Sequence, residues 1–235
     1  MGFINWTKAF CKRQNWEDFA MNFFSVFLGI VLTFGGEAII DEYREDKEVC
    51  EALRLVSNEL KDNVQQYDAY IENMQFENRA AIFLMQYYDN YDACDVDTLY
   101  KYCNAPLTKF SFDSSEEALE LLKTSSLFQK IEDKDFALNI IRVYTLVRSV
   151  KESVEFYGDK KVKLIDKAMN EEATKLFARN NFTAQEMWKA LTSSDNGRQF
   201  VHEVQFSTSS ALSQEGIKEF MEEVIKQIED YITEN

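Results

Sequence analysis

The most marked hydrophobic pattern along the chain is an apolar run near the N-terminus. Residues 23–36 contain no charged side chain, and Glu37 is the one charge within residues 19–40. The longer span has 22 residues. As a helix it measures about 33 Å, and the apolar core of a bilayer is about 30 Å thick. Trp16 stands where an interfacial aromatic residue belongs. The pattern predicts a short N-terminal arm, residues 1–18, and then a transmembrane helix over residues 19–40.

Two other interpretations of the apolar run stay open. Lys12 and Arg13 precede it, as basic residues precede a secretory signal, but no small-x-small cleavage site follows it. A helix buried in the core of a domain would also be apolar on all sides. The uncharged run alone is short, but Trp16 before it, the missing cleavage site and the charged residues that follow it favour the membrane anchor.

Small and polar side chains recur every four residues within the run, at Ser25, Gly29, Thr33 and Glu37, with Gly36 beside them. This spacing places them on one face of a helix. Because small residues let helices approach closely in lipid, the face is a candidate for helix packing. The alternatives are a pore face with Glu37 at its mouth, or no special role, since small residues are common in membrane helices.

A second periodic pattern follows the apolar run. Residues 41–88 contain no glycine or proline, and their apolar side chains recur in steps of mostly three and four, which predicts one long amphipathic helix. Asn63 and Glu77 are polar residues in positions of this seam. The seam fits either an oligomerising coiled-coil stalk or a helix packed on its own domain. A second apolar stripe, which includes Ala52 and Ile71, favours the packed helix. The candidate coiled-coil seam comprises Val49, Leu53, Val56, Leu60, Tyr67, Tyr70 and Met74.

The remaining chain divides into a connection and a helical domain. Residues 89–113 form an acidic, irregular connection whose aspartates lack the glycine and terminal glutamate of a calcium-binding loop. Residues 114–235 predict several helices that pack on the long helix. Ser114 and Thr183, each followed three residues later by a glutamate, predict capping boxes that begin two of these helices.

Other start and stop signals fill in the domain. Asp133 or Asp135 begins a helix that Gly158 ends. A further helix follows Gly158. We expect a loop over residues 193–197, either helix or strand over residues 198–206, and a last helix capped by Ser213.

Composition narrows the fold class and the partners. The 235 residues include only 7 glycines and 1 proline, too few for the turns of a β fold, so the chain is expected to be all-α. Apolar residues make up 46%, enough for a packed core. The net charge of −15 lies entirely beyond residue 40. An acidic domain repels phosphate, so we expect no nucleic-acid partner.

The residue types argue against most catalytic chemistry. His202 is the one histidine, which excludes multi-histidine zinc sites, and no nucleophile motif surrounds it. Glycine-rich nucleotide-binding loops do not occur. We therefore expect no catalytic residue, no metal site and no cofactor. The four cysteines lack zinc spacing; Cys94 and Cys103 either form a disulfide across a short loop or remain free thiols.

The order of several short motifs resembles that of an uncharacterised family of small single-pass membrane proteins of the Bacteroidota type. The first motif is the apolar segment 28–34, followed by the charged residues 41–47 and the segment 53–63. The second is the segment 122–135, in which Ser126 stands where the family has glycine. The resemblance implies an N-terminal anchor, a helical domain and a bacterial envelope location. It implies no activity and no catalytic residue.

These features predict a non-enzymatic, membrane-anchored interaction protein, such as a scaffold, sensor or accessory subunit of the bacterial envelope. One alternative is an oligomeric pore that uses the face from Ser25 to Glu37, and another is an enzyme without a recognisable motif. The expected partners are the lipid bilayer, another membrane or envelope protein, and a second copy of the chain. Basic residues flank both ends of the span. A short arm that stays inside would place the domain on the periplasmic side of the inner membrane.

Overall fold

The computed structural model describes the backbone of residues 3–179 and 181–234. It describes the side chains of residue 21 and of residues 24–29, 44–179 and 181–234. Within this part the chain is 83% helical and has no strand, which confirms the predicted all-α class. The scarcity of glycine and proline is the physical reason, because few positions interrupt the helical hydrogen-bond ladder.

The first helix, α1, runs without a break over Phe3–Gln86 and has 84 residues, a length of about 126 Å. It takes in the apolar run and the seam, and it ends two residues before the expected residue 88. Within residues 19–40, only the side chains of 21 and 24–29 are described. Most side chains of the predicted membrane span therefore lie outside the part that the structure describes. Among those that are described, no helical segment is both long and apolar enough for a membrane crossing.

Seven further helices surround the second half of α1, which packs against α7 and α8 along much of its length. Helix α4 also contacts α7 and α8. The helices are α2 (Val96–Tyr102), α3 (Glu117–Thr124), α4 (Lys134–Ala168), α5 (Glu171–Ala178), α6 (Ala184–Thr192), α7 (Asp195–Leu212) and α8 (Ile217–Glu234), with 3-10 turns at Tyr91–Ala93, Ala105–Leu107 and Leu127–Lys130.

Buried side chains form two hydrophobic cores along α1. The first core joins the middle of α1 to α3, the first half of α4, and α8, and it includes Leu60, Ile140 and Val224. The second core joins the end of α1 to α2, the end of α4, α5, α6 and α7, and in it Trp188 and Phe200 stack with ring centroids 6.4 Å apart. Since α1 and α4 contribute to both cores, these two helices hold the domain together.

The seven seam residues all lie in the first core, and each is between 0 and 7% exposed. Helices α3, α4 and α8 of the same chain cover them. In the structure the seam is therefore a packing face within its own domain, as the second interpretation expected. The seam residues present no open surface for a coiled coil. The apolar stripe beside the seam explains this, because a face that wide needs more than one partner helix.

Gly158 does not end a helix, contrary to the expectation from its residue type. Helix α4 continues through it to Ala168. A Cβ atom at this position would lie 2.6 Å from Cε of Lys109, whose ammonium pairs with Asp159 at 2.9 Å. The glycine therefore makes room for a side chain that crosses the helix.

The two predicted capping boxes have different outcomes. Thr183 and Glu186 form theirs at the start of α6, as predicted. The box at Ser114 is wrong, because α3 begins only at Glu117 and no side chain of its own N-cap residue closes it. Instead Glu59 of α1 accepts hydrogen bonds from the amide of Ala118 at 3.0 Å and from the hydroxyl of Ser115 at 2.7 Å. The cap of α3 comes from another helix.

The expected loop over residues 193–197 is also wrong, because Ser194 caps α7 and the helix starts at Asp195. Gly197 lies in its first turn, where a Cβ atom would be 1.7 Å from the carbonyl oxygen of Leu191. The ambiguous residues 198–206 are helical. Ser213 ends α7 rather than starting α8. Within the acidic connection, the structure adds the short helix α2.

Candidate functional site

The predicted helix-packing face is only partly described. Ser25 and Gly29 are exposed on α1. Thr33, Gly36 and Glu37 lie outside the residues whose side chains the structure describes. The helix-packing and pore hypotheses for this face therefore remain predictions.

The residues with potential for catalysis or metal binding are dispersed. His202 is exposed on α7, with its ring centroid 5.9 Å from that of Tyr88 in an edge-on arrangement. Among the described residues, no three metal-ligating side chains come together. Cys50, Cys94 and Cys103 are buried free thiols, so the disulfide alternative for the last two is not the one in this structure.

A buried ion pair lies between the two hydrophobic cores. Glu77 on α1 and Lys161 on α4 are 0% and 1% exposed, and the Lys161 Nζ donates to Glu77 Oε1 at 2.7 Å. The same ammonium donates to the carbonyl of Thr108 and lies 5.1 Å from the ring centroids of Phe110 and Tyr157. The hydroxyl of Tyr157 donates to Glu77 Oε1 at 2.9 Å. Glu77 thus joins α1 to α4 through two donors.

Burial governs the electrostatics of this group. It raises the pKa of the Glu77 carboxyl and lowers the pKa of the Lys161 ammonium, while attraction between the two charges opposes both shifts. Burial and the adjacent carboxylate raise the pKa of the Tyr157 hydroxyl. The second oxygen of Glu77, Oε2, accepts no hydrogen bond from any described residue. With both charges enclosed, the pair serves as an internal cross-link and offers no open site for chemistry.

A second polar cluster lies earlier in α1, at Glu59 and Asn63. The Asn63 side chain pairs with the backbone of Ser115, donating to its carbonyl and accepting from its amide, each at 3.0 Å. Glu59 accepts from the Tyr144 hydroxyl at 2.6 Å. Asn63 and Glu77, the two polar residues of the seam, therefore each hold another segment of the chain. Asn63 binds the segment before α3, and Glu77 binds Tyr157 and Lys161 of α4.

A cavity of about 210 Å³ opens beside the buried pair, between α1, α4 and α7. The side chains on the floor of the cavity are buried, whereas those on its rim are exposed. Tyr67, Tyr70 and Met74 on the floor are 1–7% exposed, whereas Phe156 and Phe206 on the rim are 73% and 69% exposed. The full lining is Tyr67, Tyr70, Met74, Val150, Ser153, Phe156, Tyr157, Lys160, Phe206, Ser207, Ser210, Ala211 and Gln214.

The polar groups of this aromatic cavity are mostly hydroxyls. The side chains of Tyr67 and Tyr70 are 6% and 7% exposed, and their hydroxyl oxygens, which make no hydrogen bond with a described residue, are not enclosed by the protein. Burial raises the pKa of Tyr70 to about 12, so its hydroxyl keeps its proton at neutral pH. The Lys160 ammonium at the rim pairs with Glu203 at 2.7 Å. The cavity therefore offers hydrogen-bond donors without a net charge.

Sequence reasoning named Tyr67 and Tyr70 only as seam residues and missed the cavity. The sequence does contain one signal for the cavity, since two tyrosines stand at seam positions where aliphatic residues are usual. A tyrosine hydroxyl in a core needs either a hydrogen-bond partner or an opening to water, and the second option indicates a cavity. The rim could not be read from the sequence, since Phe156 and Phe206 are 50 residues apart and meet only through the packing of α4 and α7.

No protein-family model matches the chain, and neither a curated protein nor a solved structure matches it. The resemblance to Bacteroidota-type membrane proteins accordingly stays a prediction.

Proposed function

We propose that the protein is a membrane-anchored, non-enzymatic interaction protein in which α1 joins a lipid-embedded segment to the helical domain. The observation that carries this is the exposure of the apolar run where its side chains are described. Val26 and Leu28 are 63% and 58% exposed and point about 200° apart around the helix. Because large apolar side chains are exposed on opposite sides, a single protein contact cannot cover them, whereas lipid surrounds a helix completely.

The junction between the apolar run and the domain supports the same proposal. The described side chains of residues 44–48 are all exposed, and Arg44 pairs with Glu48 at 3.5 Å. The first buried residue of the domain, Val49, follows directly. A polar neck of this kind is expected where a helix passes from lipid through the headgroups into water. One continuous helix then carries the domain on the anchor.

The domain itself has the features of an interaction module. Its most deeply buried charges are used in internal cross-links such as Glu77 with Lys161. Its acidic surface favours a basic partner protein and disfavours nucleic acid. We place the anchor in a bacterial inner membrane with the domain on the periplasmic side, and the partner among membrane or envelope proteins.

Alkaline carbonate extraction of membranes tests the anchor. We expect the full chain to remain in the membrane pellet. The Val26→Arg/Leu28→Arg variant should move to the supernatant, because each arginine at the centre of a span costs about 2.5–3.5 kcal/mol. The matched Val26→Ile/Leu28→Ile variant should stay in the pellet. Release of the unaltered chain by carbonate would refute the anchor, provided that circular dichroism shows the chain to be folded.

The same membranes report the side of the domain. Cys50, Cys94 and Cys103 are at most 7% exposed and make poor reporters. The exposed Ser149 of α4 replaces them, as Ser149→Cys in a Cys11→Ser background. A membrane-impermeant maleimide added to intact cells with a permeabilised outer membrane should label this cysteine. Labelling only after lysis would put the domain in the cytoplasm.

A further inference from the structure

We propose that the aromatic cavity between α1, α4 and α7 binds a small uncharged aromatic molecule that carries a hydrogen-bond acceptor, of the size of benzamide. This binding site is independent of the membrane anchor. The size of the cavity, its hydroxyls, its charge balance and its exposed rim support this class of ligand.

The size of the cavity limits the ligand to about one ring. Its volume of about 210 Å³ is below the range of about 300–1,000 Å³ that is typical of sites for drug-sized ligands. The floor consists of the rings of Tyr67 and Tyr70 with the apolar side chains of Met74 and Val150. A flat apolar ring is the shape that such a floor accommodates, because offset or edge-on ring pairs add to the energy of burial.

The two floor hydroxyls call for an acceptor on the ligand. Tyr67 and Tyr70 are 6% and 7% exposed, and their hydroxyl oxygens make no hydrogen bond to a described residue and are not enclosed, so they are open to water. A hydroxyl that a bound ligand cuts off from this water needs a new partner. Both hydroxyls are protonated at neutral pH, as tyrosine ordinarily is, and can donate. A carbonyl or comparable oxygen entering the cavity would accept from these hydroxyls.

The charges around the cavity favour an uncharged ligand. Lys160 at the rim is paired with Glu203 at 2.7 Å, and Lys161 behind Tyr157 is paired with Glu77 at the same distance. Lys160 is already neutralised by Glu203, and this carboxylate would repel an anion that approached the same ammonium. A cation would meet no unpaired carboxylate among the described residues of the lining.

The rim is suited to closing over a ring. Phe156 on α4 and Phe206 on α7 both line the cavity and are 73% and 69% exposed, which leaves two large aromatic side chains in water. A ring bound on the tyrosine floor would give these phenylalanines an apolar surface to cover. The exposure of both rings beside the cavity leaves them available for this contact.

The test uses the full chain in lipid nanodiscs and the probe 4-fluorobenzamide, whose fluorine resonance broadens on binding. We expect saturable broadening with a Kd of about 1 mM, and displacement by unlabelled benzamide. Tyr67→Phe/Tyr70→Phe keeps both rings and removes both hydroxyls, and it should weaken binding at least about fivefold. Tyr100→Phe alters an exposed tyrosine of α2 and is the matched control, with no expected change.

A second variant tests the place of binding. Ser210→Phe adds a ring at an exposed position of the lining and should abolish saturable broadening while leaving the helical circular dichroism unchanged. The proposal is overturned if broadening does not saturate up to about 10 mM, or if both cavity variants bind like the unaltered chain. Benzoate binding as tightly as benzamide would overturn the uncharged class. The carbonate extraction and the titration have separate readouts. If the chain proves not to be anchored, the same titration can be done without nanodiscs, so failure of the anchor proposal and failure of the ligand proposal are distinguishable.

Discussion

At the scale of single residues, the domain depends on a few buried polar groups with long-range partners. Glu77 accepts hydrogen bonds from Lys161 and Tyr157 of α4. Glu59 accepts hydrogen bonds from Tyr144 of α4 and from a backbone amide at the start of α3. Glu77 is fully buried within an otherwise apolar face of α1, whereas Glu59 is half-buried beside that face. A buried ion pair adds little net stability, but it is costly to leave half of one behind.

Removing one partner of the buried pair should therefore be more damaging than removing both. We expect Lys161→Met to lower the free energy of unfolding by about 3–5 kcal/mol, because Glu77 is left as an unpaired buried charge. Glu77→Met/Lys161→Met should recover much of that loss. Urea titration followed by circular dichroism measures both. Lys163→Met, at an exposed position two residues along α4, should change stability by less than about 0.5 kcal/mol.

The buried tyrosines predict a loss of stability at alkaline pH. Burial raises the pKa of Tyr70 from 10.0 to about 12 in the folded chain. A raised folded pKa contributes stability that is fully present below pH 10 and is lost as the pH rises towards 12, since the unfolded chain releases its proton first. The loss should be about 2–3 kcal/mol. Tyr70→Phe should flatten this part of the stability profile, measured by urea titration between pH 9 and 12; an unchanged slope would contradict the assignment.

At the scale of elements, two glycines inside helices differ in what a larger side chain would contact. The Cβ atom of an alanine at Gly197 would meet backbone, the carbonyl oxygen of Leu191 at 1.7 Å. At Gly158 it would meet the flexible end of the Lys109 side chain. Backbone cannot move away without separating α6 from α7, whereas a lysine can adopt another rotamer.

Alanine at these glycines should accordingly give different results. We expect Gly197→Ala to lower the free energy of unfolding by at least about 3 kcal/mol, through forced displacement of the α6–α7 junction. Gly158→Ala should stay within about 1 kcal/mol of the unaltered chain, because better helix propensity offsets the displaced lysine. Thermal and urea unfolding measure both. Equal losses at the two positions would show that the junction is not as tight as the Leu191 contact implies.

These elements also show what a sequence can predict. The all-α class, the unbroken helix over residues 41–86 and the box at Thr183 follow from local composition, period and spacing. The misplaced helix end at Gly158 and the misplaced cap at Ser114 have another cause. Lys109 and Glu59, which decide them, lie far along the chain and reach these positions only in the folded domain. The candidate cavity has the same character, since the sequence places its floor on α1 but not its rim on α4 and α7.

At the scale of the whole molecule, α1 is the axis on which both hydrophobic cores are assembled. The described part of its apolar run is exposed, and its second half is buried by the rest of the chain. Such a division within one helix is expected if the two halves have different surroundings, lipid for one and protein for the other. The cavity faces the buried half, so a molecule bound there would contact the same helix that carries the proposed anchor.

The division into two cores also sets an order during synthesis. The second core draws its buried residues from the segment 81–204, whereas the first needs α8, whose buried residues begin at Ile217, to cover Val49 and its neighbours. A chain leaving the ribosome can therefore complete the later-encoded core while the earlier-encoded one still lacks its last wall. Until α8 has been synthesised, the middle of α1 exposes its apolar face to any nearby chaperone or membrane surface. Deletion of α8 would leave this face exposed permanently.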